Sequence, residues 1–264
     1  MLRSVFTKSL WDQRRAISAW ALAIAFVGAA YAAFYPSMSN PDMQAALDAF
    51  PKEVLDALGM ADITSPEGYV GSTVYGLLGP VLMIVYAASL GSRAIAGDEE
   101  SGRLDLLLAH PVTRWSVVLQ RAAAVAVALA VATAALLAAM VAISGPAQLG
   151  ALSVADLAAA SLQLFLLAAV FSTLGLAVGA ATGSRALAMG AVAFAAVTSY
   201  SANTMGPSVP ALAWTQELSP FFYAAGGQPL ANGWQVRDAV ILSSVSLILV
   251  GAAVIAFGRR DVAV

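Results

Sequence analysis

Six apolar stretches, each long enough to cross a membrane as a helix, constrain this chain more than any other feature. A bilayer core of about 30 Å needs about 20 consecutive apolar residues in a helix, which pairs its own backbone groups. Hydrophobic residues make up 60% of the 264 residues and charged residues 11%, and the mean hydropathy is +0.82. We therefore predict an all-α membrane protein with one transmembrane domain over residues 1–264. The predicted spans cover approximately residues 16–36, 70–96, 116–143, 155–181, 186–206 and 238–258.

Basic residues are distributed unevenly between the two sides of these spans. Only Lys52 and Arg237 of the thirteen lysines and arginines fall on one side. The others fall on the opposite side: Arg3, Lys8, Arg14, Arg15, Arg93, Arg103, Arg114, Arg121, Arg185, Arg259 and Arg260. Because cytoplasmic loops carry an excess of Lys and Arg, the pattern predicts that both termini are cytoplasmic.

Three segments outside the spans have their own character. Residues 1–15 contain apolar residues spaced four apart and surrounded by lysine and arginine, a pattern that predicts an interfacial amphipathic helix. The Ala30-Tyr31-Ala32 run fits a signal-peptidase site, but the preceding apolar run has spanning length, so we expect an uncleaved span. Residues 37–69 are acidic and predict external helices on the membrane surface, with a cation site as the alternative. Residues 207–237 are rich in aromatics and predict short helices at the outer interface.

A charged segment, residues 97–114, separates the second and third spans. Leu104, Leu107 and Leu108 form an apolar stripe opposite charged residues, which predicts a short amphipathic helix from Asp98 to His110. This helix should end before Pro111. Residues 97–114 have two interpretations: a solvent-exposed charged loop that sets the membrane topology, or a rigid element on which a soluble partner acts.

At these residues the chain resembles the permease subunits of type-2 ATP-binding-cassette exporters. An acidic pair, a Gly-Thr-Leu-Glu-Leu-Leu-Leu-like run and a Pro-Val-Ser/Thr-Arg run mark that family. Arg103 and Asp105 replace the usual threonine and glutamate and keep the face polar. The run 64–69 resembles actinobacterial members, and the Ser-Pro-Phe run at 219–221 and the charged C-terminal stop also match. The resemblance implies that residues 97–114 are a cytoplasmic coupling helix. Its candidate ATPase-coupling residues are Asp98, Glu99, Glu100, Gly102, Arg103, Asp105, Pro111 and Arg114.

Several kinds of chemistry are excluded by composition. The chain has no cysteine and one histidine, His110, so we expect no metal site and no catalytic residue. Neither lysine follows a glycine, so a phosphate-binding loop is absent. No cofactor is therefore expected on this chain, and ATP and Mg²⁺ would bind a partner subunit. The spans lack ionisable residues at their centres, which argues against ion-coupled transport.

Polar side chains inside two spans suggest where a substrate could pass. The candidate path residues are Thr73, Tyr75, Tyr200 and Asn203, and the family resemblance implies a cleft lined by the second and fifth spans. The alternative is that the hydroxyl groups of the fifth span only bond to their own helix or to neighbouring helices.

The function that the resemblance implies is that of a permease subunit of an ATP-driven exporter in a bacterial plasma membrane. Hydroxyls, amides and aromatics in the spans favour a hydrophobic or amphipathic cargo such as a drug, antibiotic or lipid. The expected partners are a cytoplasmic ABC ATPase, a second permease subunit and the lipid bilayer, with no nucleic acid. A non-transporting membrane scaffold or sensor that binds a soluble partner is the alternative.

Overall fold

The computed structural model describes residues 4–40, 63–104, 112–206 and 210–260, and all regular elements in those ranges are helices. Within them, six helices are long and apolar enough to cross a membrane. These are span 1 (Val5–Met38), span 2 (Pro66–Arg93), span 3 (Arg114–Ile143), span 4 (Val154–Thr182), span 5 (Arg185–Met205) and span 6 (Val236–Arg259). The predicted all-helical, six-span architecture is confirmed.

Span 1 begins earlier than its apolar run. Its first helix is continuous from Val5 to Ala32, and a short helix, Tyr35–Met38, follows. Residues 5–15 of the predicted interfacial helix are therefore not a separate element but the first part of this helix, and residues 1–3 lie outside the described residues. The reason is that no glycine or proline interrupts the chain between Ser4 and Gly28. Residues 41–62, most of the predicted external acidic segment, lie outside the described residues.

Span 2 contains a long π-helical section. The Ser65 hydroxyl accepts a hydrogen bond from the Gly68 N–H at 3.0 Å, so the span starts at Pro66 rather than at residue 70. Pro66–Val70 is α-helical, Gly71–Leu78 is π-helical, and Gly79–Arg93 is α-helical again. A π-helix has i→i+5 hydrogen bonds, is rare and is often located at functional sites.

Span 4 is the central helix, packing against spans 2, 3, 5 and 6. It starts with a capping box, in which the Ser153 Oγ accepts from the Asp156 N–H and the Asp156 carboxylate accepts from the Ser153 N–H. Spans 2 and 4 approach each other at Gly91, where an added Cβ would collide with the Ser172 carbonyl oxygen. Only glycine permits this backbone approach, which is typical of helix contacts in membranes.

Both ends of the described chain lie at the same end of the bundle. The Phe6 N–H donates to Gln120 Oε1 of span 3 at 3.1 Å, and Arg114 Nη1 donates to the Arg260 carbonyl at 2.6 Å. At the opposite end, the described residues between spans 5 and 6 form three short helices: the 3₁₀-helix Pro210–Leu218 and the α-helices Pro220–Ala225 and Pro229–Asn232.

Candidate functional site

The connection between spans 2 and 3 contains a break that the sequence reading did not predict. A helix runs from Ala96 to Glu100, Gly102 has a φ of 67°, and the chain is helical again at Arg103 and Leu104. The predicted single helix from Asp98 to His110 is therefore wrong. Gly102 adopts a left-handed conformation that an α-helix excludes and that glycine adopts without strain. Asp105, His110 and Pro111 lie outside the described residues.

Asp98 is bonded to two arginines of the same chain. Its carboxylate pairs with Arg121, which projects from span 3, and its other oxygen lies 3.2 Å from Arg103 Nη2. Arg121 is seven residues into span 3, and its side chain is only 14% exposed. A charge at this depth needs a partner, and Asp98 supplies it.

Glu99 and Glu100 contact the ends of other spans. The Glu99 carboxylate pairs with Arg260 at the end of span 6, while Arg260 Nη1 donates to the Ala180 carbonyl of span 4 at 3.4 Å. Glu100 Oε1 accepts a hydrogen bond from the Arg185 N–H, at the start of span 5, at 2.8 Å. The three acids thus bind the ends of spans 3, 5 and 6.

We call Asp98, Glu99 and Glu100, together with Arg121 and Arg260, the acidic corner. The Asp98 and Glu99 side chains are 15% and 18% exposed, so these two acids stabilise the junction between spans. Breaking a partly buried pair leaves a poorly compensated charge, which is destabilising. The corner therefore ties the segment between spans 2 and 3 to the rest of the bundle.

Among the described residues of the predicted coupling set, two charged side chains remain accessible. The Arg103 side chain is 68% exposed, and Glu100 is exposed although one carboxylate oxygen is bonded. Gly102 is the break described above. Arg114 follows its helix cap Thr113 and points into the protein, where it contacts the Arg260 and Phe257 carbonyls. The predicted set therefore divides into inward-facing residues, which connect the spans, and outward-facing residues, which a partner can reach.

Neither partner of the two inward-facing acids was anticipated from the sequence. Arg121 gave a signal, since it is a lone charge inside a long apolar run and so requires a nearby counter-charge. Arg260 gave none, because 161 residues separate it from Glu99.

The opposite end of the bundle contains a cavity of about 410 Å³, which we call the aromatic cavity. Span 2, span 4, span 5 and the two short α-helices before span 6 form its walls. Three of the four predicted path residues, Tyr75, Tyr200 and Asn203, line it together. Thr73 is not among its lining residues and donates its hydroxyl to the Tyr69 carbonyl at 2.5 Å.

The π-helical section of span 2 forms part of this cavity. Ser72, Tyr75 and Gly76, all in that section, are lining residues. The Tyr75 hydroxyl bonds to Ser161 Oγ at 2.9 Å, which fixes its ring against span 4. Sequence analysis did not predict the π-helix.

Some polar residues of span 5 fit the interpretation as helix-packing groups, and others fit the interpretation as a substrate path. Thr198 Oγ1 donates to the Phe194 carbonyl at 2.7 Å, and Ser199 Oγ donates to the Ala195 carbonyl at 2.6 Å. These hydroxyls satisfy their own helix, as the packing interpretation predicts. Tyr200 instead lies edge-on to Phe221, with ring centroids 5.4 Å apart, at the cavity wall.

The acidic corner and the aromatic cavity contact span 4 at positions that are far apart along this helix. Ala180 contacts the corner and Leu164 lines the cavity, so about 24 Å of span 4 separates them at 1.5 Å per residue. Among the described residues, no group of His, Cys, Asp and Glu could hold a metal ion.

Comparison with known protein families gives one match that covers nearly the whole chain. The family described as ABC-2 family transporter protein matches residues 3–262. A comparison with curated proteins gives no match.

Proposed function

The chain belongs to the ABC-2 family of transporter proteins, and we propose that it is the permease subunit of an ATP-driven exporter. The family match over residues 3–262 carries this proposal, and the six spans make the chain a multi-pass membrane protein. In the proposed assembly a separate cytoplasmic ATPase binds ATP and Mg²⁺, and this chain supplies the path across the membrane for a hydrophobic or amphipathic compound.

The proposed orientation places the acidic corner in the cytoplasm. Basic residues concentrate at that end of the bundle, and the positive-inside rule assigns such an end to the cytoplasmic side. Both termini are then cytoplasmic, and the aromatic cavity lies toward the outside.

Coupling is proposed to pass through the acidic corner. Arg103 and Glu100 face outward and would contact the ATPase, whereas Asp98 and Glu99 face inward and would transmit its movement. Because Glu99 is paired with Arg260, a displacement of the Ala96–Glu100 helix would also displace the end of span 6. A six-span chain is proposed to pair with a second permease subunit, so that the path would form between two such bundles.

The coupling role is tested with the exposed arginine. The tagged chain is co-expressed with individual ABC ATPase subunits of its host, and the ATPase retained after purification in mild detergent is quantified. We expect one ATPase to be retained, and R103E to reduce the retained amount about tenfold, because losing an interfacial charge pair costs at least about 1.4 kcal/mol.

A matched control separates contact from general charge effects. R15E makes the same change at another exposed arginine near the same end of the bundle, and it should leave retention unchanged. If no ATPase is retained by the wild-type chain, the proposed function is wrong. If R103E and R15E behave alike, Arg103 has no coupling role.

A further inference from the structure

The aromatic cavity has an asymmetric charge. Among its described lining residues Glu67 alone is charged. The remaining polar groups are neutral: the amides of Asn203 and Gln228 and the hydroxyls of Ser72, Tyr75 and Tyr200. The cavity therefore presents one negative charge and no positive charge from the described part of the chain.

Glu67 has no counter-charge within the described protein. It lies in the first turn of span 2, is partly buried, and forms no ion pair with another described residue. This differs from Asp98 and Glu99, which both have arginine partners. Its location at a helix N-terminus provides some stabilisation through the helix dipole. Its place on the cavity wall leaves the carboxylate available to a cationic ligand.

Aromatic rings line the same space. Tyr75, Tyr200 and Phe221 contribute to the wall, and Tyr200 is 42% exposed. The edge-to-face contact between Tyr200 and Phe221 holds their rings at 76° to each other. A cation near the face of an aromatic ring gains about 0.5–2 kcal/mol, more when water is excluded.

Apolar side chains complete the cavity and determine the kind of cation. Leu164, Leu167 and Leu230 line it together with several alanines and prolines. A volume of about 410 Å³ is in the range of sites for small organic molecules. A small inorganic cation would leave these apolar walls without contact, whereas a hydrophobic cation would cover them.

We propose that the aromatic cavity binds hydrophobic organic monocations, with Glu67 as the counter-charge. This inference refines the proposed function, since it specifies the class of compound that the chain would export. Anionic amphiphiles are disfavoured because Glu67 repels them.

The test measures binding by the purified full-length chain in non-ionic detergent, without any ATPase. The probes are tetraphenylphosphonium and tetraphenylborate, which have nearly the same size and shape and opposite charge. Equilibrium dialysis, corrected with protein-free micelles, gives both affinities. We expect the phosphonium ion to bind at least tenfold more tightly than the borate ion.

Substitutions then locate the site. E67Q should weaken phosphonium binding about tenfold, and Y200L should weaken it severalfold through loss of the ring. E217Q is the matched control, because Glu217 is exposed at the same end of the bundle and does not line the cavity. It should leave both affinities unchanged.

The possible outcomes distinguish this inference from the proposed function. Equal affinities for the two ions, or equal phosphonium affinities for E67Q and E217Q, would overturn the inference. A lowered melting temperature of E67Q with unchanged phosphonium binding would also overturn it and leave Glu67 as a helix-end residue. Selective binding by a chain that retains no ATPase would support the cation site and contradict the exporter function.

Discussion

The pair between Glu99 and Arg260 is predicted to hold the segment between spans 2 and 3 to the end of span 6. The perturbation is a charge-swap cycle with E99R, R260E and the double variant E99R/R260E. Each single variant removes a charge-assisted hydrogen bond, worth about 1.5–3 kcal/mol, and places like charges together. The side chains are 18% and 22% exposed, so water screens the pair only in part.

The expected magnitude follows from these values. Like charges about 4 Å apart at an effective dielectric constant of about 20 repel by about 4 kcal/mol, and partial exposure and side-chain movement reduce this value. We expect each single variant to lose about 3 kcal/mol of unfolding free energy. The double variant restores opposite charges but not the Arg260 bond to the Ala180 carbonyl, so it should lie within about 2 kcal/mol of the wild type, and the two effects are strongly non-additive.

The assay is SDS-induced unfolding of the chain from mild-detergent micelles, followed by tryptophan fluorescence. R103E serves as the control, because the Arg103 side chain is 68% exposed and its pair with Asp98 is expected to contribute less than about 1 kcal/mol. Additive losses in the double variant would refute the inference that Glu99 and Arg260 act as a pair. Unchanged stability in all three variants would show that the corner does not tie the spans together.

Two further predictions use the same unfolding assay. G91A should destabilise the bundle by about 2 kcal/mol, because its methyl group collides with the Ser172 carbonyl. G190A should be neutral or slightly stabilising, because an added Cβ there meets no described atom within 4 Å. Equal effects of the two glycine substitutions would contradict the close approach of spans 2 and 4. S153A should lose about 1 kcal/mol, because it removes the cap that bonds to the Asp156 N–H, and an unchanged midpoint would show that the cap contributes nothing measurable.

Membrane architecture followed directly from the amino-acid sequence. The six spans were predictable because each apolar run meets the length requirement of the bilayer and must satisfy its own backbone hydrogen bonds. The family could also be anticipated from short runs around residues 97–114 and 219–221, and the match over residues 3–262 agrees with that resemblance. These are local properties, readable from composition, length and order.

The detailed form of the helices was less predictable. Span 1 extends through the charged residues near Arg15, because helix continuity depends on the absence of a breaker more than on hydrophobicity. The break at Gly102 could not be predicted, because the spacing of the leucines that follow it fits a longer continuous helix. The π-helical section of span 2 could not be predicted, because apolar composition and span length do not distinguish a π-helix from an α-helix.

The two candidate sites were decided by tertiary structure. Charge alone marked Asp98, Glu99, Glu100 and Arg103 as similar surface residues, and only packing separates the inward-facing acids from the exposed arginine. Tyr75 and Tyr200 are 125 positions apart in the sequence, yet they line the same cavity because spans 2 and 5 both pack beside span 4. Sequence periodicity reports which face of one helix is polar. The partner of that face depends on how the helices pack, and contacts between residues distant in sequence determine that packing.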